Sequence, residues 1–314
     1  MRRAWIAVLV AVLLTAPGCG DDAPVSSDTG ECAAPQLVAT TTILGDVARD
    51  LMGEAGEVVV LMPVGADPHA FQASARQAAL LREADLVVAN GLGLEEGLHD
   101  VLAAAAGDGV VVIEAAAFVD VLPLDREEED HGRGGHGDDD PHLWLDPRRM
   151  AEVVTGLGEA LAAVDPACPD RWRVAAAASR ERLLDLDAEI EQVLAAIPGE
   201  HRRLITAHHS LGYFADRYGF AVVAVIVPGG STLAEPSPAD LVDAVRALQA
   251  EAERAIFVDT TQLGALAEAV AAELGESVTI VDLYTGSLGQ TGSGAETYPD
   301  MLRTNAARIA AALG

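Results

Sequence analysis

At 314 residues the chain exceeds one typical domain, so two domains are expected. Half of its residues are hydrophobic but only 4% are aromatic, so Ala, Val and Leu must do most of the packing, as in helices laid on parallel strands. A formal net charge of -29, with only 20 Lys plus Arg, leaves no basic surface for nucleic acid, whereas a cationic ligand suits the field.

The chain opens like an export signal. Arg2 and Arg3 precede ten apolar residues, Trp5 to Leu14, and then Thr15-Ala16-Pro17-Gly18-Cys19. A charged start, a short apolar run and small residues predict a signal peptide over 1–18, too short to remain as a transmembrane helix. Cys19 after Gly18 resembles a bacterial lipobox, although Ala16 stands where Leu is usual and Pro17 is uncommon there. The expectation is an exported protein, in the periplasm or on the outer face of the cell membrane, anchored by a lipid on Cys19. Residues 19–35 have no periodicity and read as a flexible tether. Cys32 and Cys168 remain, and in an oxidising compartment they either pair or stay as two separate buried thiols.

Strands and helices then alternate. Strands are expected over Leu37–Ile43, Glu57–Met62, Asp85–Ala89 and Val110–Ile113, with helices over Leu44–Met52, Ser74–Glu83 and Leu94–Ala106. Asp125 to Asp140 interrupts this order with eight acids, four Gly, His131 and His136, and no apolar residue. Helix resumes at Asp146-Pro147, an N-cap followed by Pro in the first turn, and a second helix runs from Pro166 to about Ala196. Roughly 30 helical residues span about 45 Å, enough to cross a domain, so 166–197 reads as a strut between an N-terminal lobe, 36–165, and a C-terminal lobe, 198–314. The second half repeats the alternation, with strands over Leu204–Ala207, Ala221–Val227, Ala255–Asp259 and Val278–Asp282. Its helices are expected over Ser210–Tyr218, Pro238–Glu251, Leu263–Leu274 and Ala295–Leu313. The predicted fold is α/β: two lobes, each a parallel sheet flanked by helices, joined by one long helix.

Open parallel sheets bind ligands outside the carboxyl ends of their strands, so the polar residues there are informative. His69 follows the second strand, His142 closes the acidic loop, His208 follows the strand 204–207, and Asp282 ends the strand 278–282. Three imidazoles and a carboxylate form an N3O set suited to Zn²⁺. Each residue also has a plainer reading. Asp67-Pro68-His69 alone could be a turn, only one of the neighbours His208 and His209 can point at a given ion, and Asp259 is a rival acid at another strand end. The repeat of Asp-Pro-His at 67–69 and 140–142 strengthens the set. His99 and His201 lack such placement and read as surface residues.

Several motifs carry a resemblance: Thr40-Thr41-Thr42-Ile43, Gly65-Ala66-Asp67-Pro68-His69, and Asp140-Pro141-His142-Leu143-Trp144-Leu145-Asp146-Pro147. Thr206-Ala207-His208-His209-Ser210-Leu211-Gly212-Tyr213-Phe214, Glu235-Pro236-Ser237-Pro238, and Val281-Asp282 followed by Ala295-Glu296-Thr297-Tyr298 continue it in order. Together they resemble the solute-binding proteins of zinc/manganese ABC importers, lipoproteins with two lobes joined by a rigid helix. The resemblance implies His69, His142, His208 and Asp282 as metal ligands, an ABC importer membrane permease as partner, and a monomer. It implies Zn²⁺ as the carried ligand rather than Mn²⁺, because manganese-preferring relatives tend to carry Glu where His208 stands. It also offers His131 and His136 as weak zinc collectors, the plain alternative being a solvated spacer. Gln72-Ala73-Ser74 departs from the usual Glu and Pro of relatives and predicts an altered helix start. A secreted zinc hydrolase is the rival from another class, but no His-Glu-x-x-His helix or nucleophile elbow is present.

Overall fold

The computed structural model describes residues 31–124, 139–227, 229–233, 255–261, 265–274 and 278–314, with six single positions between 239 and 249. The expected signal segment, Cys19, the tether as far as residue 30, His131, His136 and most of the helix expected over 238–251 lie outside the described residues.

Two parallel sheets share one strand order. In the first, β1 (Gln36–Ala39), β2 (Glu57–Val60), β3 (Leu86–Ala89) and β4 (Val111–Glu114) lie as β2-β1-β3-β4. In the second, β5 (Arg203–His208), β6 (Ala221–Val227), β7 (Ala255–Asp259) and β8 (Thr279–Leu283) lie as β6-β5-β7-β8. The inner strands are continuous apolar runs because both of their faces are covered. Alternation then sorts each run between two cores. Leu37 and Ala39 of β1 face a core shared by both halves, while Val38 packs on the outer side with Leu81 and Val87. Phe257 of β7 faces the shared core, and Ile256 and Val258 face outward with Ile205 and Ile226. Each such side chain removed from water contributes roughly 1.5–3 kcal/mol.

The helices are α1 (Thr42–Met52), α2 (Ala75–Glu83), α3 (His99–Gly107), α4 (Pro147–Val164), α5 (Pro169–Leu194), α6 (Gly212–Tyr218), α7 (Ala265–Leu274) and α8 (Tyr298–Leu313). The first strand is shorter than its β-branched run suggested. The Thr41 hydroxyl accepts from Leu44 N, which caps α1 and turns Thr42 and Ile43 into its first turn. At α2 the altered start is a complete capping box, in which Ser74 and Gln77 satisfy each other's backbone N–H. The last helix begins at Tyr298, not Ala295, because the Thr297 side chain caps it by accepting from Asp300 N. The segment before it, residues 284–297, is a loop of turns and bends.

α5, 26 residues long, is the spine. Its buried stripe of Trp172, Ala176, Leu183, Leu186, Ile190 and Leu194 follows three-and-four spacing and enters the shared core. At its centre the buried Asp187 carboxylate accepts from Arg148 Nε of α4 (2.7 Å) and from Arg217 Nε and Nη2 of α6 (both 2.6 Å). One acid thus ties a helix of each half to the spine. Cys32 and Cys168 form a disulfide with Cα atoms 5.4 Å apart, fixing the segment before β1 to the start of α5. A second seam joins the halves through the loop before α8. Leu288 N donates to Thr42 Oγ1 (3.0 Å), Gly65 N to Ser287 Oγ (2.8 Å), and Tyr298 N to Asp46 Oδ2 (2.7 Å).

Candidate metal centre

Two of the candidate ligands are positioned by the same local device. In each Asp-Pro-His unit the Asp side chain accepts from the backbone N–H of the His two residues on. His69 N donates to Asp67 Oδ1 and His142 N to Asp140 Oδ1, both at 3.0 Å. The intervening Pro has no N–H to compete and fixes its own φ, so the turn presents the imidazole in a set direction. The motif is therefore a side-chain mount. His208 needs none, because it is the last residue of β5 and the sheet holds its backbone.

The three mounts converge. His69, His142 and His208 are all buried, and their candidate ligand atoms lie within 4.8 Å of one another. The His69 and His142 Nε2 atoms stand 3.4 Å apart. Tetrahedral ligands about 2.05 Å from a zinc ion stand about 3.3 Å apart, so this spacing fits one. Ring centroids are 5.4 Å apart for His69 and His142 and 5.2 Å for His142 and His208. Among the described residues no other group of His, Cys, Asp or Glu converges this way.

Protonation favours the same use. Burial, with the neighbouring His142, pushes the His69 imidazole down to about 3, and burial with the nearby His209 does the same to His142. Burial and the other imidazoles also hold His208 well below its usual value. All three are neutral at neutral pH and each offers a lone pair. Asp140 selects the tautomer of His142. A carboxylate only accepts, so the His142 proton sits on Nδ1 toward Asp140 Oδ1 (2.8 Å) and the Nε2 lone pair faces the other two rings. His69 Nδ1 is buried with no hydrogen-bond partner among the described residues.

The His142 loop is held from three further directions, none of which sequence reasoning identified. Asn90, at the end of β3, donates through Nδ2 to Pro141 O (2.8 Å). The fully buried Glu95 carboxylate accepts from Asn90 N (2.7 Å), Gly91 N (3.3 Å) and Thr40 Oγ1 (2.6 Å), tying the turn after β3 to the end of β1. Burial raises its pKa above the usual carboxylate value. Tyr213 OH, from α6, donates to Asp140 O (2.9 Å) and accepts from Leu122 N (3.1 Å). That approach requires Gly212, since a β-carbon there would collide with Asp140 Oδ2. Beyond the ring, Trp144 Nε1 donates to Thr285 O (2.7 Å), and Tyr298 OH to Trp144 O (2.6 Å). Of these residues Asn90 alone stands at an inner strand end, directly after β3.

His69 also lines a cavity of about 1180 Å³ whose wall carries Glu95, Glu96, Asp100, Glu114 and Asp139. An acidic vestibule of this kind raises the local concentration of cations. His209 turns away from the cluster, with Nδ1 4.0 Å from Asp140 Oδ2. His99 is exposed, and His201, before the start of β5 and so at the opposite end of that strand from His208, has its Nδ1 3.1 Å from Leu313 O.

Asp282 does not join the imidazoles. β8 runs one residue past it to Leu283, and β8 is an edge strand separated from β5 by β7. Two strand spacings are about 9.6 Å, and the Asp282 side chain is exposed. The acid at the inner strand end is Asp259. It is buried, accepts from Thr261 N (2.7 Å) and Thr285 Oγ1 (2.6 Å), and burial raises its pKa to about 6.

The family model described as "Zinc-uptake complex component A periplasmic" matches residues 37–312. The chain belongs to this family. It is a metal-binding, solute-binding component of an ABC importer. The manganese-binding lipoprotein MntA of Halalkalibacterium halodurans is 31% identical over 299 residues, covering 95% of this chain and 94% of that protein. The zinc-binding protein TroA of Treponema pallidum is 29% identical, covering 92% of each chain. A solved structure of the periplasmic zinc-binding protein TroA from Treponema pallidum superposes with a TM-score of 0.79 at 27% identity, over 90% of this chain and all of that one. The two-lobe α/β fold is common to both. Among the described residues no helix is long and apolar enough to cross a membrane.

Proposed function

We propose that the chain captures Zn²⁺ outside the cytoplasm and delivers it to the membrane permease of an ABC importer. The observation that carries this reading is the convergence of three buried, neutral imidazoles within 4.8 Å. A nitrogen-rich site suits zinc, whereas manganese takes harder oxygen donors. An incoming ion would be concentrated by the acidic vestibule and exchange its waters for the Nε2 atom of His142 and the rings of His69 and His208. The two halves then bury it. His69, His142 and His208 are the proposed ligands, and the protein acts by binding and release, without covalent chemistry. Cys19 is the proposed site of a lipid anchor and residues 19–35 the tether.

Competitive titration of the mature protein with Zn²⁺ and Mn²⁺, beside a His208→Ala variant, tests the assignment. Zinc should win by orders of magnitude, and the variant should lose most of its zinc affinity. Tight manganese binding that zinc fails to displace would overturn it. The second reading is a manganese receptor, supported by the manganese-binding names of relatives such as MntA.

A further inference from the structure

We propose that Asp259, not Asp282, is the carboxylate that completes this metal site. The inference rests on the three-imidazole reading and adds its charge partner. Three neutral rings leave a divalent cation with its whole charge in a buried cleft, and such a charge is stable only with an anion beside it. Asp140 already serves His142 from behind the ring, so the face toward the ion needs another acid.

β5 and β7 pair in parallel with Thr206 opposite Phe257, so His208, two residues on, lies beside Asp259 on the same face of the sheet. These are the inner strands, where the sheet order reverses and ligands seat. Gly286 shows which way the carboxylate points. The place its missing β-carbon would occupy is 2.9 Å from Asp259 Oδ2 and 3.2 Å from Pro68 Cδ, so only the width of one absent side chain separates the acid from the residue before His69. The hydroxyl of Thr261 lies 3.2 Å from the same point, so a small polar pocket surrounds the carboxylate. Asp259 lies outside the 4.8 Å group of imidazoles, so a bound ion draws its carboxylate inward by rotation of the side chain away from Thr285.

The test is zinc affinity of the full mature chain by chelator competition, with the zinc absorption edge read for the loaded forms. Asp259→Asn should weaken zinc binding at least tenfold and shift the absorption edge as the anionic ligand is lost, while Asp282→Asn should leave both unchanged. Asp259→Asn combined with Gly286→Asp, which puts a carboxylate into the same space, should recover part of the loss. Unchanged affinity and spectrum in Asp259→Asn overturn the proposal, as does a loss confined to Asp282→Asn. A His208→Ala control separates the two levels: if that variant still binds zinc tightly, it is the three-imidazole reading that fails. Circular dichroism and thermal melting of each variant show whether a loss is one of folding instead, in which case the double variant, with its acid restored, decides the matter.

Discussion

The two halves share a strand order but hold their proposed ligands by different means. The C-terminal half presents His208 from the end of an inner strand, where the ladder already fixes the backbone. The N-terminal half presents His69 and His142 from loops, and a loop ligand must be held by other groups. Asp67, Asp140, Asn90, Glu95 and Tyr213 do that holding. A strand-end ligand is thus set by sheet geometry, and a loop ligand by a polar network that mutation can weaken in steps.

The largest effect should come from removing a ligand on either side. His142→Ala and His208→Ala should each lower zinc affinity at least ~100-fold, since roughly 10–16 kcal/mol of structural zinc binding is shared among three or four donors. Chelator competition reads this directly, and a small loss in either variant would break the symmetry of ligand use. Next comes the mount. Asp140→Asn keeps the shape but weakens the hold on the Nδ1 proton of His142, and should cost about 10–100-fold in affinity. An effect no larger than that of a surface substitution would show that the loop needs no tautomer selection.

Acid acts on the imidazoles themselves. Folded His69 and His142 titrate near 3, below their ordinary 6.5, so between those values the unfolded chain binds more protons than the folded one. Stability of the metal-free protein therefore falls as the pH drops below about 6.5, by roughly 1 kcal/mol per buried imidazole over the first pH unit. Thermal melting from pH 7 to 5 should show the slope, and His69→Gln should flatten it. The smallest effect sharpens the contrast. Tyr213→Phe removes a bond to Asp140 O and should cost about 1 kcal/mol of stability with only a few-fold loss of zinc affinity, measured by denaturation and titration.

The alternation of apolar runs with helical periods made the two-sheet order legible, because inner strands buried on both faces leave no other pattern. The three histidines were legible for plainer reasons: His208 closes an inner strand, and His69 and His142 carry the Asp-Pro mount in plain view. Asp282 misled because a strand's last residue depends on where its neighbour stops pairing, and β8 continues to Leu283. Asn90 and Tyr213 were hidden because they bond backbone groups 51 and 91 residues away, and Glu95 because it ties its own turn to a hydroxyl 55 residues back; no local pattern records such partners. The strand expected to reach Ile43 failed on a single hydroxyl, the Thr41 cap.

The seam along the loop before α8 has a mechanical consequence. With Asp46, Thr42, Gly65 and Trp144 all bonded across it, and with Asp187 clamping both sides of the spine, swinging the halves apart would break many contacts at once. Among the described residues the segment after β6 bonds the other half through Ser231 to Glu96 and Thr232 to Asp67, and Asp67 is the residue that mounts His69. A change at Thr232 would therefore reach the His69 ring through Asp67, without touching either seam of the frame.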